Sequence, residues 1–359
     1  MKKRALIAMS GGVDSSVAAL LMKEKGYDCI GVTMKLYDND EIGIAQEKTC
    51  CTLSDVEDAK AVCAKIDIPH YVFNFKDSFK EKVMDKFVQS YKCGCTPNPC
   101  IDCNRYLKFA GLYQRAKELE CDVIVTGHYV RVVQEGEKFH LMKGLDHSKD
   151  QSYVLYNLTP EQLAHTEFPL GGMEKSQVRE IAEKNGLVNA RKKESQDICF
   201  IPDGNYRNFI EKTGEIQVGC GDFVDKDGNV VGQHQGYYQY TIGQRKGLGI
   251  SAKTPYYVVE IIPEKNQVVL GSNDDLFHTE LVADDFNWIE KDIPEGSVIQ
   301  AKVRYGHKAA EAVYEILEDG KVAVRFKEPQ RAFTKGQAVV LYQDDMVLGG
   351  GTIVGYGAL

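Results

Sequence analysis

Ser10-Gly11-Gly12-Val13-Asp14-Ser15-Ser16 is the stretch on which the fold turns. It follows a short apolar run, Ala5–Met9, and opens a segment, Asp14–Lys25, whose apolar residues recur with helical spacing. A strand that passes through glycines straight into a helix lets the backbone close on an anion, with the helix amides aimed at it. The stretch therefore reads as a nucleotide phosphate loop, against the plain alternative of a tight strand-to-helix turn. It is not a Walker loop. The chain has no G-x-x-x-x-G-K-[ST] and so lacks the lysine that reaches the β and γ phosphates in that design.

Outward from the loop, apolar runs and helical patterns keep alternating. Cys29–Met34 precedes Ser54–Ile66, Tyr71–Phe75 precedes Ser78–Tyr91, and Asp122–Thr126 follows a helix over Arg105–Glu120. This pattern predicts an α/β fold, a parallel sheet wrapped by helices. Ser176–Lys184 reads as a further helix stopped by Asn185-Gly186. After about Phe200 the helical period gives way to short alternating strands separated by Gly, Asp and Asn turns. The expected domains are 1–201, an α/β domain with a helical extension; 202–272, small and β-rich, with the basic glycine-rich loop Thr241–Gly249; and 273–359, a C-terminal β-barrel. In the last, Asp319-Gly320 is expected to join Ala312–Leu317 to Lys321–Phe326 through a type I′ turn.

Composition bounds the function. The 359 residues exceed one core, and 43% hydrophobic with 27% charged residues is the balance of a globular protein. Met1–Arg4 followed by only Ala5–Met9 is too short for a secretion signal, and nothing approaches a membrane span, so a cytoplasmic protein without a membrane partner is expected. Eleven cysteines in that compartment argue for thiol, sulfur or metal chemistry rather than disulfides. A net charge of −8 argues against general nucleic-acid affinity but leaves room for a local basic surface.

The densest cysteine cluster is Cys93-Gly-Cys95-Thr-Pro-Asn-Pro-Cys100-Ile-Asp-Cys103-Asn104, and Cys199 stands in Glu194-Ser195-Gln196-Asp197-Ile198-Cys199-Phe200. A zinc knuckle from Cys93, Cys95, Cys100 and Cys103 has suitable ligands but a poor C-x-C spacing. Plain packing as small hydrophobes suits Cys29, Cys63 and Cys121. Reactive thiols on a loop form the third reading, the prolines being expected to hold the backbone extended and away from helix.

With these residues in view, the phosphate loop resembles that of the PP-loop ATPases, which cleave ATP between the α and β phosphates and adenylate a carbonyl oxygen. Thr96-Pro97-Asn98-Pro99, Cys103-Asn104, Lys108-Phe109, Cys199 between Ile198 and Phe200, Thr126-Gly127-His128-Tyr129, Lys149–Tyr153 and the Thr241–Gly249 loop resemble the tRNA 2-thiouridylase family of that group; Arg304-Tyr305 and Gly336-Gln337 agree more weakly. The resemblance implies binding of ATP with Mg²⁺ by Ala8, Met9, Ser10, Gly11, Gly12, Val13, Asp14, Ser15 and Ser16, with Met34 and Gly127 bordering the adenine. It implies that Asn98, Pro99 and Cys100 border the target base and that His128, Lys149, Asp150, Gln151, Arg304, Tyr305 and Gln337 contact tRNA. The implied reaction adenylates uridine O2 with release of pyrophosphate, after which sulfur attacks C2 and expels AMP. The implied target is the wobble uridine of the tRNAs for Lys, Glu and Gln, served by a cysteine desulfurase or sulfur carrier, with the enzyme acting as a monomer.

The resemblance also implies that Cys199 carries the sulfur as a persulfide and Cys103 resolves it. One departure bears on this: many family members have aspartate three residues before the first catalytic cysteine, where this chain has Cys100. Cys100, Cys103 and Cys199 suit three irons of a [4Fe–4S] cluster whose fourth iron binds sulfide. Both sulfur routes stay open at this point. Either needs thiolates, so nearby positive charge is expected to lower the cysteine pKa values. Arg304, His307, Lys308, Arg325, Lys327, Arg331 and Lys335 are the expected tRNA-gripping face of the barrel. Two other classes compete: a PP-loop enzyme that adenylates a small substrate and has no need of Cys103 or Cys199, and a zinc-stapled RNA-binding protein that leaves the phosphate loop idle.

Overall fold

The computed structural model describes residues 2–38, 53–193 and 198–357. Glu194–Asp197, part of the stretch that leads to Cys199, lies outside the described residues. The chain divides into two compact units: Met1–Met84 with Pro99–Asn205 and Asp345–Val347, and Asp85–Asn98 with Tyr206–Asp344 and Leu348–Leu359.

In the first unit, β1 (Arg4–Ala8) leads to α1 (Val13–Glu24), then β2 (Asp28–Lys35), α2 (Leu53–Lys65), β3 (His70–Asn74) and β4 (Val123–Val125). The next strands, β5 (Val130–Glu135) and β6 (Lys138–Lys143), form an antiparallel hairpin that the sequence pattern does not disclose; β7 (Thr166–Glu167) is short. The sheet runs β3-β2-β1-β4-β7, and every neighbouring pair is parallel. Both faces are covered. Ala5 and Ile7 of β1 join a core with Val17, Met22, Val62 and Val178, whereas Leu6 packs with Val32, Leu112 and Ala116. Alternation within an all-apolar strand thus supplies two cores, which is why β1 reads as a continuous apolar run. From β1 the chain builds outward to β2 and β3, then returns to place β4 on the other side. This makes the carboxyl ends of β1 and β4 the topological switch point, where open α/β sheets bind ligands.

The cysteine-rich stretch departs from expectation. Residues 95–98 are irregular, but helix begins at Pro99, runs through Pro99–Asp102, widens to a π-helical segment over Cys103–Gly111 and continues as Leu112–Glu118. Proline opens this helix rather than preventing it. Its fixed φ suits the first helical position, and the N–H it lacks has no intrahelical partner there anyway. Cys100 and Cys103 are therefore helical residues.

In the second unit, β8 (Gly221–Val224), β9 (Val230–His234), β10 (Tyr257–Ile262) and β11 (Gln267–Gly271) form a sheet in the order β10-β11-β8-β9. Six further strands close into a barrel: β12 (Phe277–Trp288), β13 (Ile299–Lys302), β14 (Ala310–Ile316), β15 (Val322–Arg331), β16 (Ala338–Gln343) and β17 (Met346–Tyr356). Their order is β12-β15-β14-β13-β16-β17, and β17 pairs back onto β12. The expected type I′ turn is corrected: only Gly320 (φ +82°) is left-handed there, and its N–H donates to Leu317 O at 2.9 Å. Type I′ needs two left-handed residues, so this is the longer type I turn with a glycine after it. No helix among the described residues is long and apolar enough to cross a membrane.

Candidate active site

The phosphate loop lies between β1 and α1, at the switch point. Gly11 has φ +74°, and a Cβ there would stand 2.4 Å from Asp55 O, so both conformation and space demand glycine. Gly12 is the extended N-cap of α1 and makes no side-chain cap. The first-turn amides are therefore left for something other than a capping side chain, which is the arrangement that receives an anion. The hydroxyls turn inward. Ser15 Oγ and Ser16 Oγ each donate to Gly12 O at 3.0 Å, and Ser10 N–H donates to Ser15 Oγ at 3.2 Å.

Four residues hold this loop, and three of them, Lys175, Asn189 and Lys192, the sequence pattern did not single out. Lys175, only 8% exposed, donates to both carboxylate oxygens of Asp14 at 2.7 and 2.8 Å, and Tyr129 OH donates to Asp14 Oδ1 at 2.8 Å. Asn189 Nδ2 donates to Gly11 O at 2.9 Å and to Ser16 Oγ at 2.8 Å. Lys192 Nζ reaches Gly11 O at 3.3 Å and pairs with Asp55 and Asp58 at 2.6 Å each. Nothing local marks these residues, because their partners lie far away in sequence. Gly127 follows β4, and a Cβ on it would stand 2.8 Å from Asp14 C and Ser15 N. Its role is thus close approach to the start of α1. Ala8 ends β1, Val13 and Met9 are buried, and Met9 belongs to the core; its N–H donates to Val32 O at 2.8 Å. Met34 is half-buried near the end of β2, opposite Phe73.

The cysteines sit on two segments of the same unit. Cys100 is exposed, while Cys103 is buried at the start of the π-helical segment. Such widening leaves carbonyls to be satisfied from outside. Asn157 Nδ2 donates to Ile101 O at 3.2 Å, Gln162 Nε2 to Phe109 O at 2.6 Å, and Asn104 Nδ2 to Val154 O at 2.9 Å. Asn104, next to the cysteine, is thus a tether between segments. Cys199 is half-buried; its carbonyl accepts from Tyr37 OH at 2.8 Å, and Tyr37, Phe79 and Phe200 form a chain of ring contacts at 5.8 and 5.6 Å.

The expectation of lowered thiol pKa values is corrected for Cys103. Burial pushes this thiol up to about 11, and the opposing charge of Lys108 does not compensate. Cys103 is therefore a protonated thiol at neutral pH in this state. Among the described residues no three His, Cys, Asp or Glu side chains converge into a group that could hold a metal ion. Cys100, Cys103 and Cys199 thus do not meet as cluster ligands here, nor do Cys93, Cys95, Cys100 and Cys103 as a zinc knuckle. Cys93 is exposed and Cys95 half-buried, with the Cys95 thiol 3.7 Å from Cys93 O.

His128, expected at the tRNA, is buried, its Nδ1 2.7 Å from Thr126 Oγ1. Burial, and then the charge of Lys108, push it well below its usual value, so the ring is neutral. Asp150 accepts from Gly144 N–H and Ser152 N–H at 3.1 Å, and Gln151 Oε1 accepts from Tyr129 N–H at 2.9 Å. Through Tyr129 this turn is linked to Asp14. Lys149, beside it, is half-buried and sends its N–H to Asp146 O at 3.0 Å.

In the second unit, the Arg304 guanidinium donates to Ala332 O at 2.8 Å, to Ile242 O at 3.3 Å and to Thr334 Oγ1, tying the glycine-rich loop to the barrel. Gln337 Nε2 donates to Thr96 O at 2.8 Å, bracing the stretch that ends in half-buried Asn98 and leads to buried Pro99. Tyr305 is 45% exposed and has Lys302 5.5 Å from its ring centre. Burial, followed by the charges of Arg304, Arg331 and Lys302, pushes His307 down, which locates a group of cations around it. Within the expected basic face, Arg325 pairs with Glu280 and Glu315 at 2.7 and 2.9 Å and Lys327 with Glu311 at 2.8 Å.

Three family models match the chain: the tRNA methyl transferase HUP domain over residues 3–203, the tRNA methyl transferase PRC-barrel domain over 207–272 and the aminomethyltransferase beta-barrel domain over 278–353. The tRNA-specific 2-thiouridylase MnmA of Clostridium beijerinckii is 52% identical, over 98% of this chain and 99% of its own length. Its counterpart from Clostridium perfringens is 51% identical, over 98% of each. Among solved structures, a 4-thiouridine synthetase–RNA complex with bound ATP is 17% identical, covers 58% of this chain and 50% of its own, and has a TM-score of 0.36.

Proposed function

The chain belongs to the tRNA-specific 2-thiouridylase family and is an enzyme, and from that premise we propose that it thiolates the wobble uridine of the tRNAs for Lys, Glu and Gln at the expense of ATP. The observation that carries the proposal is the glycine loop at the switch point, whose first-turn amides receive no side-chain cap.

A ring carbonyl oxygen does not depart as oxide, so it must first become part of a good leaving group. Uridine O2 attacks the α phosphorus of ATP, the bond to the bridging oxygen breaks, and pyrophosphate leaves onto the amides of Gly12, Val13, Asp14 and Ser15. Mg²⁺, which needs only one or two carboxylates besides phosphate oxygens, would lower the charge there, with partly exposed Asp14 as the loop's carboxylate. Met34 and Gly127 border the adenine on this reading. The base, splayed from a single-stranded anticodon loop, would meet Asn98, Pro99 and Cys100.

Cys199 then acts as sulfur carrier. Its persulfide, loaded by a cysteine desulfurase or sulfur carrier, attacks C2 through the terminal sulfur and expels AMP. Cys103 loses its proton and attacks Cys199 Sγ; the S–S bond breaks, 2-thiouridine leaves, and a Cys103–Cys199 disulfide forms that an external thiol must reduce. The raised pKa of Cys103 supports this order of events, because a buried neutral thiol does not compete for incoming sulfane sulfur. His128, Lys149, Asp150, Gln151, Arg304, Tyr305 and Gln337 would act on tRNA either directly or, where their side chains are committed internally, by shaping the surface. The enzyme works as a monomer on one tRNA.

The test is to supply native protein, Cys103→Ser and Cys199→Ser with ATP, a persulfide donor and unmodified tRNA, and to measure AMP, pyrophosphate and thiouridine. Native protein should yield the three in equal amounts, and neither variant should thiolate. AMP and pyrophosphate released without thiouridine, at a rate unchanged in both variants, would favour a small-substrate PP-loop enzyme instead. Iron and acid-labile sulfide in protein purified without oxygen decide the remaining choice: about four irons per native chain, lost in Cys100→Ser, would replace the persulfide route with cluster-bound sulfide.

A further inference from the structure

We propose that Asn189 and Lys192 are positioning residues for the pyrophosphate: they hold the carbonyl oxygen of Gly11 and thereby aim the Gly12 N–H into the anion site. This rests on the reading of the loop as a phosphate site and adds how the loop is kept in shape.

The argument begins with the peptide unit. Gly11 C=O and Gly12 N–H belong to one trans peptide plane and point in opposite directions. Whatever fixes the oxygen therefore fixes the direction of the N–H. Glycine at φ +74° has no side chain to stop that plane from rotating, so the loop needs an external clamp. Asn189 Nδ2 donates to Gly11 O at 2.9 Å, and Lys192 Nζ approaches the same oxygen at 3.3 Å. On the opposite side, the Gly12 N–H donates to Ser10 Oγ at 3.4 Å, at the long limit for such a bond and readily exchanged for a phosphate oxygen. A cationic donor on the carbonyl also polarises the peptide and strengthens its N–H as a donor.

Two further observations fit a built device rather than a chance contact. Asn189 is 2% exposed, and its Oδ1 is buried with no hydrogen-bond partner among the described residues. A stranded acceptor is costly, so what this amide contributes is its two N–H bonds, to Gly11 O and Ser16 Oγ. Lys192 is held from α2 by Asp55 and Asp58 at 2.6 Å each, which anchors the ammonium against the loop instead of leaving it to solvent. Burial alone would lower its pKa, yet the two carboxylates leave it raised and the ammonium charged.

The test titrates the full-length chain with inorganic pyrophosphate and, separately, with adenosine, by calorimetry, for native protein, Asn189→Asp, Lys192→Met and Lys192→Arg. Pyrophosphate affinity should fall about tenfold or more in the first two variants, the loss expected when a charge-assisted bond is removed. Adenosine affinity should move less than about twofold, and Lys192→Arg should stay near native, because it restores a charged donor. If Asn189→Asp does not fold, Asn189→Ala carries the same expectation without adding a charge. Native-like pyrophosphate binding by Asn189→Asp and Lys192→Met would overturn the inference while leaving the phosphate site standing. Equal weakening of both ligands would overturn it too, by reducing the two residues to general supports of the fold. A native chain that binds adenosine but ignores pyrophosphate would sink the phosphate-site reading and this inference together.

Discussion

Alanine at three glycines separates backbone strain from steric exclusion and asks whether the loop after β1 is where nucleotide binds. Gly26 has φ +87° with nothing within 4 Å of a would-be Cβ, so Gly26→Ala introduces strain alone, about 1–2 kcal/mol. Gly127 has no positive φ, but its Cβ would stand 2.8 Å from Asp14 C and Ser15 N, so Gly127→Ala introduces crowding alone, about 1–3 kcal/mol. Gly11→Ala combines both, with backbone oxygen of Asp55 at 2.4 Å. All three should lower the melting midpoint, by about 2–4 °C for each kcal/mol in a unit of this size. Their effects on ATP should differ sharply. To relax from 2.8 Å to an ordinary contact near 3.4 Å, the first turn of α1 must retreat by about 0.6 Å, and misplacement on that scale costs about tenfold to a hundredfold in a preorganised site. The KM for ATP in tRNA-dependent pyrophosphate release should therefore rise by that factor in Gly127→Ala, rise further in Gly11→Ala and stay native in Gly26→Ala. A Gly127→Ala protein with a lowered melting point and an unchanged KM would refute the placement of the phosphates on this turn.

Cys103 gives a pH test. Its folded pKa of about 11 lies above the ordinary thiol value near 8.5, so the folded chain keeps a proton that the unfolded chain releases. The associated stability is complete below about 8.5 and is lost as pH rises from there through about 11; alkylation of Cys103 should correspondingly steepen across that window, and a rate already saturated at pH 8 would contradict the burial argument. Lys175→Met should destabilise the first unit by about 2–3 kcal/mol in urea, because it leaves Asp14 with Tyr129 as its remaining hydrogen-bond donor of the pair. Arg304→Lys should lower the stability of the second unit by about 1–3 kcal/mol, since an ammonium cannot reproduce a fork that serves Ile242 O, Ala332 O and Thr334 Oγ1 together, whereas Tyr305→Ala should weaken tRNA in filter binding without moving the melting point.

The parallel sheet was legible because its evidence is local. Each strand is a short apolar run, each helix carries its own period, and the glycine loop marks the join between β1 and α1. The barrel was legible in outline for a similar reason, as strands separated by Gly and Asp turns. The errors came where two local rules compete. Proline before Cys100 predicts extended backbone, but Pro99 occupies the first helical position, where its ring is compatible with the helix. Asp319-Gly320 predicts a two-residue type I′ turn, yet Asp319 is not left-handed and the turn is one residue longer.

The candidate site was legible only in the parts that lie within one motif. Gly11 and Gly12 could be assigned from their neighbours, but Asn189 and Lys192 meet Gly11 across gaps of 178 and 181 residues, and Lys175 meets Asp14 across 161. No window on the sequence holds both ends of such a contact. The charge on Cys103 was misjudged for the same physical reason. The sequence predicts positive charge near the thiol without naming its source; Lys108, five positions on, supplies it in the fold, but burial of the thiol, a property of the whole packed unit, outweighs it. A motif can therefore single out a thiol, but the protonation state of that thiol is set by residues brought in from elsewhere in the fold. On the proposed persulfide route, the proton that burial keeps on Cys103 would hold that thiol silent until sulfur has reached the base.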